Sequence, residues 1–420
     1  MPKAPIDRRT FISGLGLAAA VAPVRLRAAG ANDRIRLGVI GCGVRGSYIL
    51  SEAMAAAANR LDVVAVADVW SVNRESFATH VATSYSRPQP KQFTRYRDLL
   101  AMTTLDAVII TTPDFAHPAV LVDAVKAGKD AYVEKPLCAR LEDAVAAVDA
   151  VKASKSIVQV GTQRRSSPRF QAAAAYVRSG ALGPICKIET AWNRNVPSWL
   201  KPLDNCKAAD VDWEQYLMYQ PARPFEAVRL RSWQWFYANT TGLVGLLGSH
   251  MIDVGQWFMD DPFPSSAVAL GGTYTWKDGR EISDTAEYVF EYPKGWMLTF
   301  SSRLGSGPES DYTVLYGKTR TLDTRDWTIR PADNSRPASA KDEVLPDPAP
   351  ASNASLTQGG APEHVANWID CMVSRKQPNA SIDVGYSHAV ACCLGREAER
   401  TGRKMRYDAA TRRIVEAVGT

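Results

Sequence analysis

Residues 36–46 read Arg-Leu-Gly-Val-Ile-Gly-Cys-Gly-Val-Arg-Gly, an apolar run from Leu37 to Ile40 that breaks at Gly41-Cys42-Gly43 into an alanine-rich stretch, Val44 to Ala58. The run predicts a buried strand and the alanines favour helix, so the order is strand, tight turn, helix. Gly41 permits the turn, Gly43 lets backbone approach a pyrophosphate, and Gly46 lets the helix lie close to the strand. Cys42 needs only to be small. The helix amino end, at Val44 and Arg45, then faces phosphate oxygens. A second strand, Val63 to Val69, contains Asp68, which lies 22 residues after Gly46. That is close to the spacing of about 20 residues expected of an acid that hydrogen-bonds a ribose 2′-hydroxyl. The constellation predicts a bound dinucleotide. An acid there repels a 2′-phosphate, favouring NAD, while Ser71 and Arg74 leave NADP open.

Working outward, a chain of 420 residues exceeds what one hydrophobic core serves, so about two domains are expected. Formal charge is +6, but Lys3, Arg8, Arg9, Arg25 and Arg27 against Asp7 put +4 of it in residues 1–31. The +2 left on the remainder is too small to argue for nucleic acid. Residues 1–31 read as a leader: Asp7-Arg8-Arg9-Thr10-Phe11-Ile12 resembles a twin-arginine motif, Leu15 to Val24 is a short apolar stretch, and Ala29-Gly30-Ala31 is an A-x-A cleavage site. The expectation is export of a folded protein to the periplasm. No other stretch is long and apolar enough to cross a bilayer. The seven cysteines form no CxxC pair and lie at no zinc-ligand spacing, so no metal is expected.

After Asp68 a polar stretch runs to Pro90. Short helices and strands then alternate: helix Tyr96 to Leu100, strand Ala107 to Thr112, helix Ala119 to Lys126, strand Asp130 to Val133, helix Leu141 to Ser154, strand Ile157 to Val160. Alternation of this kind implies a doubly wound parallel sheet, with ligands bound beyond the carboxyl ends of its strands. Gly41 to Gly46, Asp68, Thr112-Pro113, Glu134-Lys135-Pro136 and Gln163 all fall at those ends. Beyond about residue 165 longer strands take over: Ile185 to Trp192, Ala267 to Trp276, Thr285 to Tyr292, Trp296 to Ser302 and Tyr312 to Tyr316. Tyr292-Pro293-Lys294-Gly295 reads as a hairpin turn. Residues 331–361, rich in Pro, Ala and Ser, read as a surface loop, and helices His364 to Ser374 and Gly385 to Thr401 finish the chain. The predicted fold class is α/β: a Rossmann domain at 32–160 and a second α/β domain at 161–420 with a large, mostly antiparallel open sheet, the last helices packing back.

The motifs GVIGCGVRG (38–46), TTPDFAH (111–117), AGKDAYVEKPL (127–137), VGTQRRS (160–166) and SHMIDVGQW (249–257) resemble the Gfo/Idh/MocA family of glucose-fructose oxidoreductase and inositol dehydrogenase. The tail HVANWIDCMVSRKQPNA with GREAERTGRKMRYD adds to the likeness. The resemblance implies bound NAD(P), hydride transfer at a carbinol carbon of a sugar or polyol, a cis peptide before Pro136, and dimers or tetramers. It also assigns roles. Lys135 would hydrogen-bond the substrate hydroxyl and stabilise developing alkoxide, with Glu134 orienting the ribose or Lys135. His117 would sit beside the nicotinamide, and His250 would be the catalytic acid or base.

One departure stands out. Four residues before that histidine the dehydrogenases usually carry an aspartate, and this chain has Leu246. Asp253, three residues after His250 on an expected helix Leu243 to Met259, is the candidate substitute. Arg164, Arg165, Trp192, Asn193, Arg194 and Asn195 are expected at the substrate end, since aromatic faces and amides suit sugars. Two other readings fit the missing aspartate. One is a glycoside hydrolase or lyase that uses NAD transiently to make a keto sugar; the other is a non-catalytic sugar-binding relative.

Overall fold

The computed structural model describes residues 34–195, 200–305, 307–332, 342–348 and 362–417. The expected leader at 1–31 and much of the expected loop at 331–361 lie outside the described residues.

Six strands form the first sheet: β1 (Ile35–Ile40), β2 (Leu61–Ala67), β3 (Lys91–Phe93), β4 (Ala107–Ile110), β5 (Asp130–Val133) and β6 (Val158–Val160). Their order is β3-β2-β1-β4-β5-β6 and every neighbouring pair is parallel. That is the Rossmann order, in which the crossover reverses at β1 and opens a crevice between β1 and β4. The apolar runs are buried on both faces, with Leu37, Val39, Val108 and Ile109 fully inaccessible.

A ten-stranded sheet follows, built on β7 (Ile185–Asn193), β8 (Ser266–Gly272), β9 (Thr285–Tyr292), β10 (Trp296–Arg303) and β11 (Ser310–Gly317). Only the β10–β7 pairing is parallel; the others are antiparallel. The predicted hairpin is present, with Tyr292 opposite Trp296 and Gly295 at φ +83°. One face of β9 and β10 buries Ala286, Tyr288, Phe290, Leu298 and Phe300 against helices Ser249–Met259 and Ile382–Thr401. Gly248 and Gly255 allow that approach, since an added Cβ would meet Phe300 and Leu298 within 2.8 Å and 2.6 Å.

Helix Pro362–Ser374 packs on helix Val44–Ala57 and brings Val365, Trp368 and Ile369 into one apolar cluster with Leu37, Ile49 and Ala53. The chain's last third therefore completes the core of its first. At roughly 1.5–3 kcal/mol per fully buried large apolar side chain, those residues contribute materially to the nucleotide half.

Two expectations are corrected and two sets of elements are added. Residues 71–84 form a helix, Ser71–Ser84, not just a polar connection, and it buries only Phe77, Ala78 and Val81. A helix also covers Pro168–Arg178. The sheet gains short edge strands at Arg320–Asp323, Thr328–Pro331, Glu343–Val344, Met405–Asp408 and Arg413–Glu416. The expected helix Leu243 to Met259 is a π turn, Val244–Gly248, followed by an α-helix, Ser249–Met259.

Candidate active site

A crevice of about 740 Å³ runs across the carboxyl tips of β1, β2, β4 and β5. Gly41 takes φ +95°, and a Cβ there would lie 2.7 Å from the Thr111 carbonyl. At Gly46 a Cβ would lie 2.3 Å from the Gly41 oxygen, so the helix touches the turn. Gly43 is different: an added Cβ would meet nothing nearer than Asn73 Nδ2 at 4.0 Å, so its missing side chain opens the crevice at the helix amino end. Thr112 Oγ1, at the facing strand tip, is buried without a hydrogen-bond partner among the described residues. An open cradle, helix N–H groups and a free hydroxyl fit a pyrophosphate.

Asp68 follows β2 and lines the crevice. It accepts from the Cys42 N–H at 2.7 Å and the Trp70 N–H at 2.9 Å. Burial raises its pKa against those two donors. The carboxylate is thus locked to the glycine turn. Cys42 itself points inward, its thiol toward the Ala67 carbonyl.

Glu134 is buried. It is 4% exposed and accepts from Arg45 Nη2 at 2.8 Å, Gln163 Nε2 at 3.1 Å and the Lys135 N–H at 3.2 Å. Burial pushes its pKa up, but Arg45 and Lys135 prevail and hold it low. Gln163 was expected beside the nucleotide. Instead its amide braces Glu134 and it does not line the crevice.

The Lys135-Pro136 peptide is cis, as the resemblance implied. Lys135 lines the crevice and donates from Nζ to the Leu246 carbonyl oxygen at 2.7 Å, while burial lowers its pKa. The π turn supplies that carbonyl. His117 is 1% exposed, and its Nδ1 lies 2.8 Å from the Pro136 oxygen. A carbonyl only accepts, so the proton sits on Nδ1; burial depresses the ring's pKa.

His250 also lines the crevice, its ring 5.4 Å from that of Trp192. Burial, then Lys135, push its pKa well below the usual value, so the imidazole is neutral. Asp253 does not join it. Its carboxylate is fully buried and takes Arg165 Nε through both oxygens at 3.0 Å, away from the crevice lining.

Three expected substrate contacts are likewise engaged elsewhere. Arg164 pairs with Asp311 at 2.8 Å between the rings of Phe170 and Trp192. Arg165 holds Asp253, and Asn193 donates to Ser310 Oγ at 3.1 Å. Alternation along β7 explains the last: Trp192 and Arg194 face the crevice and Asn193 faces the other way.

Two features escaped sequence reasoning. Asp114, inside the quoted TTPDFAH, lines the crevice 2% exposed and accepts from Thr240 Oγ1 at 2.7 Å. Burial raises its pKa to about 8. A strap between Leu200 and Phe236 also lies on the strand tips: Val211 bridges Trp70, the Asp212 N–H donates to the Val69 oxygen at 2.9 Å, and Tyr216 packs edge-on to Phe115. Tryptophans at 213, 233 and 235 were its only signal. Among the described residues no three His, Cys, Asp or Glu side chains converge as a metal site, and no helix is long and apolar enough to cross a membrane.

Comparison with known proteins places this geometry. Residues 35–162 match the family model described as "Oxidoreductase family, NAD-binding Rossmann fold", and residues 170–323 match the Gfo/Idh/MocA C-terminal domain. The inositol 2-dehydrogenase of Corynebacterium glutamicum (strain R) is 31% identical over 155 residues, 37% of this chain and 44% of that protein. This chain therefore spans less than half of that relative. A glycosyl hydrolase family 109 protein of Shewanella sp. (strain W3-18-1) is 27% identical over 177 residues, 41% of this chain and 38% of the other. Among solved structures, levoglucosan dehydrogenase in complex with NADH and L-sorbose superposes with a TM-score of 0.70 at 17% identity, covering 90% of this chain and 100% of that one. That likeness is one of fold. With the two family domains matched in tandem, the chain belongs to the Gfo/Idh/MocA oxidoreductase family and carries its NAD-binding Rossmann domain.

Proposed function

We propose that this protein moves hydride to and from a CH–OH carbon of a sugar, polyol or sugar derivative, using NAD(P) that it holds tightly. The observation that supports this most is that the glycine turn, Asp68, Lys135 and His250 line one crevice. When bound there, the nicotinamide supplies the hydride acceptor or donor. Lys135 Nζ would donate to the substrate hydroxyl oxygen and stabilise charge building on it. His250, neutral and buried, would receive the hydroxyl proton at a ring nitrogen. Trp192 offers an aromatic face for the apolar side of a sugar ring. Leu246 contributes only its backbone, so the relay consists of Lys135 and His250.

A second reading has its own support in Leu246 and the family 109 match: oxidation to a keto sugar whose adjacent C–H permits elimination of an aglycone. Two assays separate them. Sugars and polyols, myo-inositol included, are offered to the purified protein while reduced nicotinamide is followed; glycosides are offered while free sugar is measured. Free sugar without net reduced nucleotide selects the second reading, and a nucleotide-free protein inert in both assays sinks the two together.

The periplasm, reached by the twin-arginine route with nucleotide already bound, is the proposed location, and a homodimer or homotetramer the proposed assembly. Replacing Arg8 and Arg9 by lysine and fractionating cells tests the first. Native mass spectrometry tests the second. A variant still in the periplasm, or a monomer, contradicts the corresponding proposal.

A further inference from the structure

The carboxylates lining the crevice all have partners inside the protein. Asp68 takes two backbone N–H groups, Asp114 the Thr240 hydroxyl, and Glu134 the side chains of Arg45 and Gln163. Three of the cations that line the crevice are placed differently. Arg194, Lys201 and Arg231 line the same crevice, and among the described residues none is ion-paired with a carboxylate.

Arg231 belongs to the nucleotide's far end. Its guanidinium lies over Trp70, 4.7 Å from the ring centre, and its Nε donates to the Pro202 oxygen at 3.0 Å. Arg194 belongs to the reactive end, one step past β7 and on the face of Trp192, whose ring packs on His250. Its backbone N–H is fixed to the Arg303 oxygen at 2.9 Å, and its Nε is buried without a partner among the described residues. Lys201 lies on the strap at the same far end as Arg231, its N–H at 3.3 Å from the Oγ of Ser232, the residue next to Arg231 in the chain. A guanidinium left partly desolvated and unpaired is unfavourable until a ligand supplies the counter-charge. The nucleotide's phosphates do not supply it, because they belong at the glycine turn and helix end.

We propose that the substrate is an anionic sugar, a monosaccharide or derivative bearing a carboxylate or a phosphate. Arg194 clamps that group through its planar fork, while the carbinol carbon faces Lys135 and His250. The proposal rests on the oxidoreductase reading and narrows it to a substrate class.

The test is calorimetric titration of the nucleotide-bearing full chain with D-glucuronate, D-glucose 6-phosphate and D-glucose. At least one anion should bind about tenfold tighter than glucose, and Arg194→Gln should remove most of that advantage. An advantage confined to glucuronate identifies a carboxylate; one confined to the 6-phosphate identifies a phosphate. Glucose binding as tightly as both anions, neither anion binding, or an advantage that survives Arg194→Gln would overturn the proposal. Nucleotide content reports whether the variant is folded. If it is not, Arg194→Lys, which keeps the charge but loses the planar fork, serves for the same comparison and should also lower the advantage. Failure here with neutral sugars still reducing the nucleotide leaves the oxidoreductase reading standing. Protein that holds no nucleotide fails that reading instead.

Discussion

The Lys135 ammonium donates to the backbone carbonyl of Leu246 at 2.7 Å, at the position where the dehydrogenases this chain resembles usually carry an aspartate. A carbonyl orients the lysine but adds no full negative charge to hold its proton. Burial therefore lowers the Lys135 pKa with less opposition than a carboxylate would give. Leu246→Asp should raise it, moving the Lys135 limb of the pH–rate profile up by about one unit or more. A profile that does not move shows that side chain 246 does not act on Lys135.

Asp114 gives a stability test with a defined sign. Its folded-state pKa is raised to about 8, above an ordinary carboxylate, so the folded protein keeps a proton that the unfolded chain gives up. The contribution is present below the unfolded pKa and is lost as pH rises to about 8. Asp114→Asn keeps an acceptor for the Thr240 hydroxyl but cannot ionise. Its stability relative to wild type should grow with pH from roughly 4 to 8 and then level off. Thermal melts across that range check this; a constant difference means Asp114 titrates normally.

Gly46 tests the turn. A Cβ placed 2.3 Å from the Gly41 oxygen cannot be relieved by a side-chain rotation, because the clash is with backbone. Gly46→Ala should cost about 1–3 kcal/mol and weaken nucleotide retention. Gly43→Ala, in open space, should leave stability near wild type and affect the nucleotide alone. Equal melting temperatures for the two variants would contradict this division.

Arg165 and Asp253 form a buried pair, with side-chain exposures of 11% and 1%. Arg165→Ala leaves a carboxylate unpaired in the interior and should destabilise by about 3–5 kcal/mol. Because the pair stands off the crevice, whatever protein remains folded should retain its substrate KM. Chemical denaturation with kinetics on the folded fraction measures both. Lost turnover at unchanged stability would return Asp253 to the mechanism.

The nucleotide half was legible because its determinants are local: glycine spacing, apolar runs ended by turn residues, and an acid at a fixed interval. The helix Ser71–Ser84 was missed because it buries just three side chains and shows little apolar periodicity. The edge strands depend on pairing partners distant in sequence; Met405, for example, lies opposite Ala267. At the site, Lys135 and His250 were found by motif, whereas Asp253, Arg164 and Asn193 were chosen for chemistry without knowledge of their partners. His250 and Asp253 are three residues apart, yet one lines the crevice and the other meets Arg165 from helix Ser249–Met259. Asp114 was in plain view, but its burial against Thr240 joins residues 126 apart and leaves no local trace.

The most direct measurement follows reduced-nicotinamide absorbance when sugar is mixed rapidly with protein carrying its own nucleotide, comparing wild type with Lys135→Ala. The wild type should show a burst matching the number of chains, slowed about 10²- to 10⁴-fold in the variant. Equal bursts in both would show that Lys135 takes no part in the chemistry.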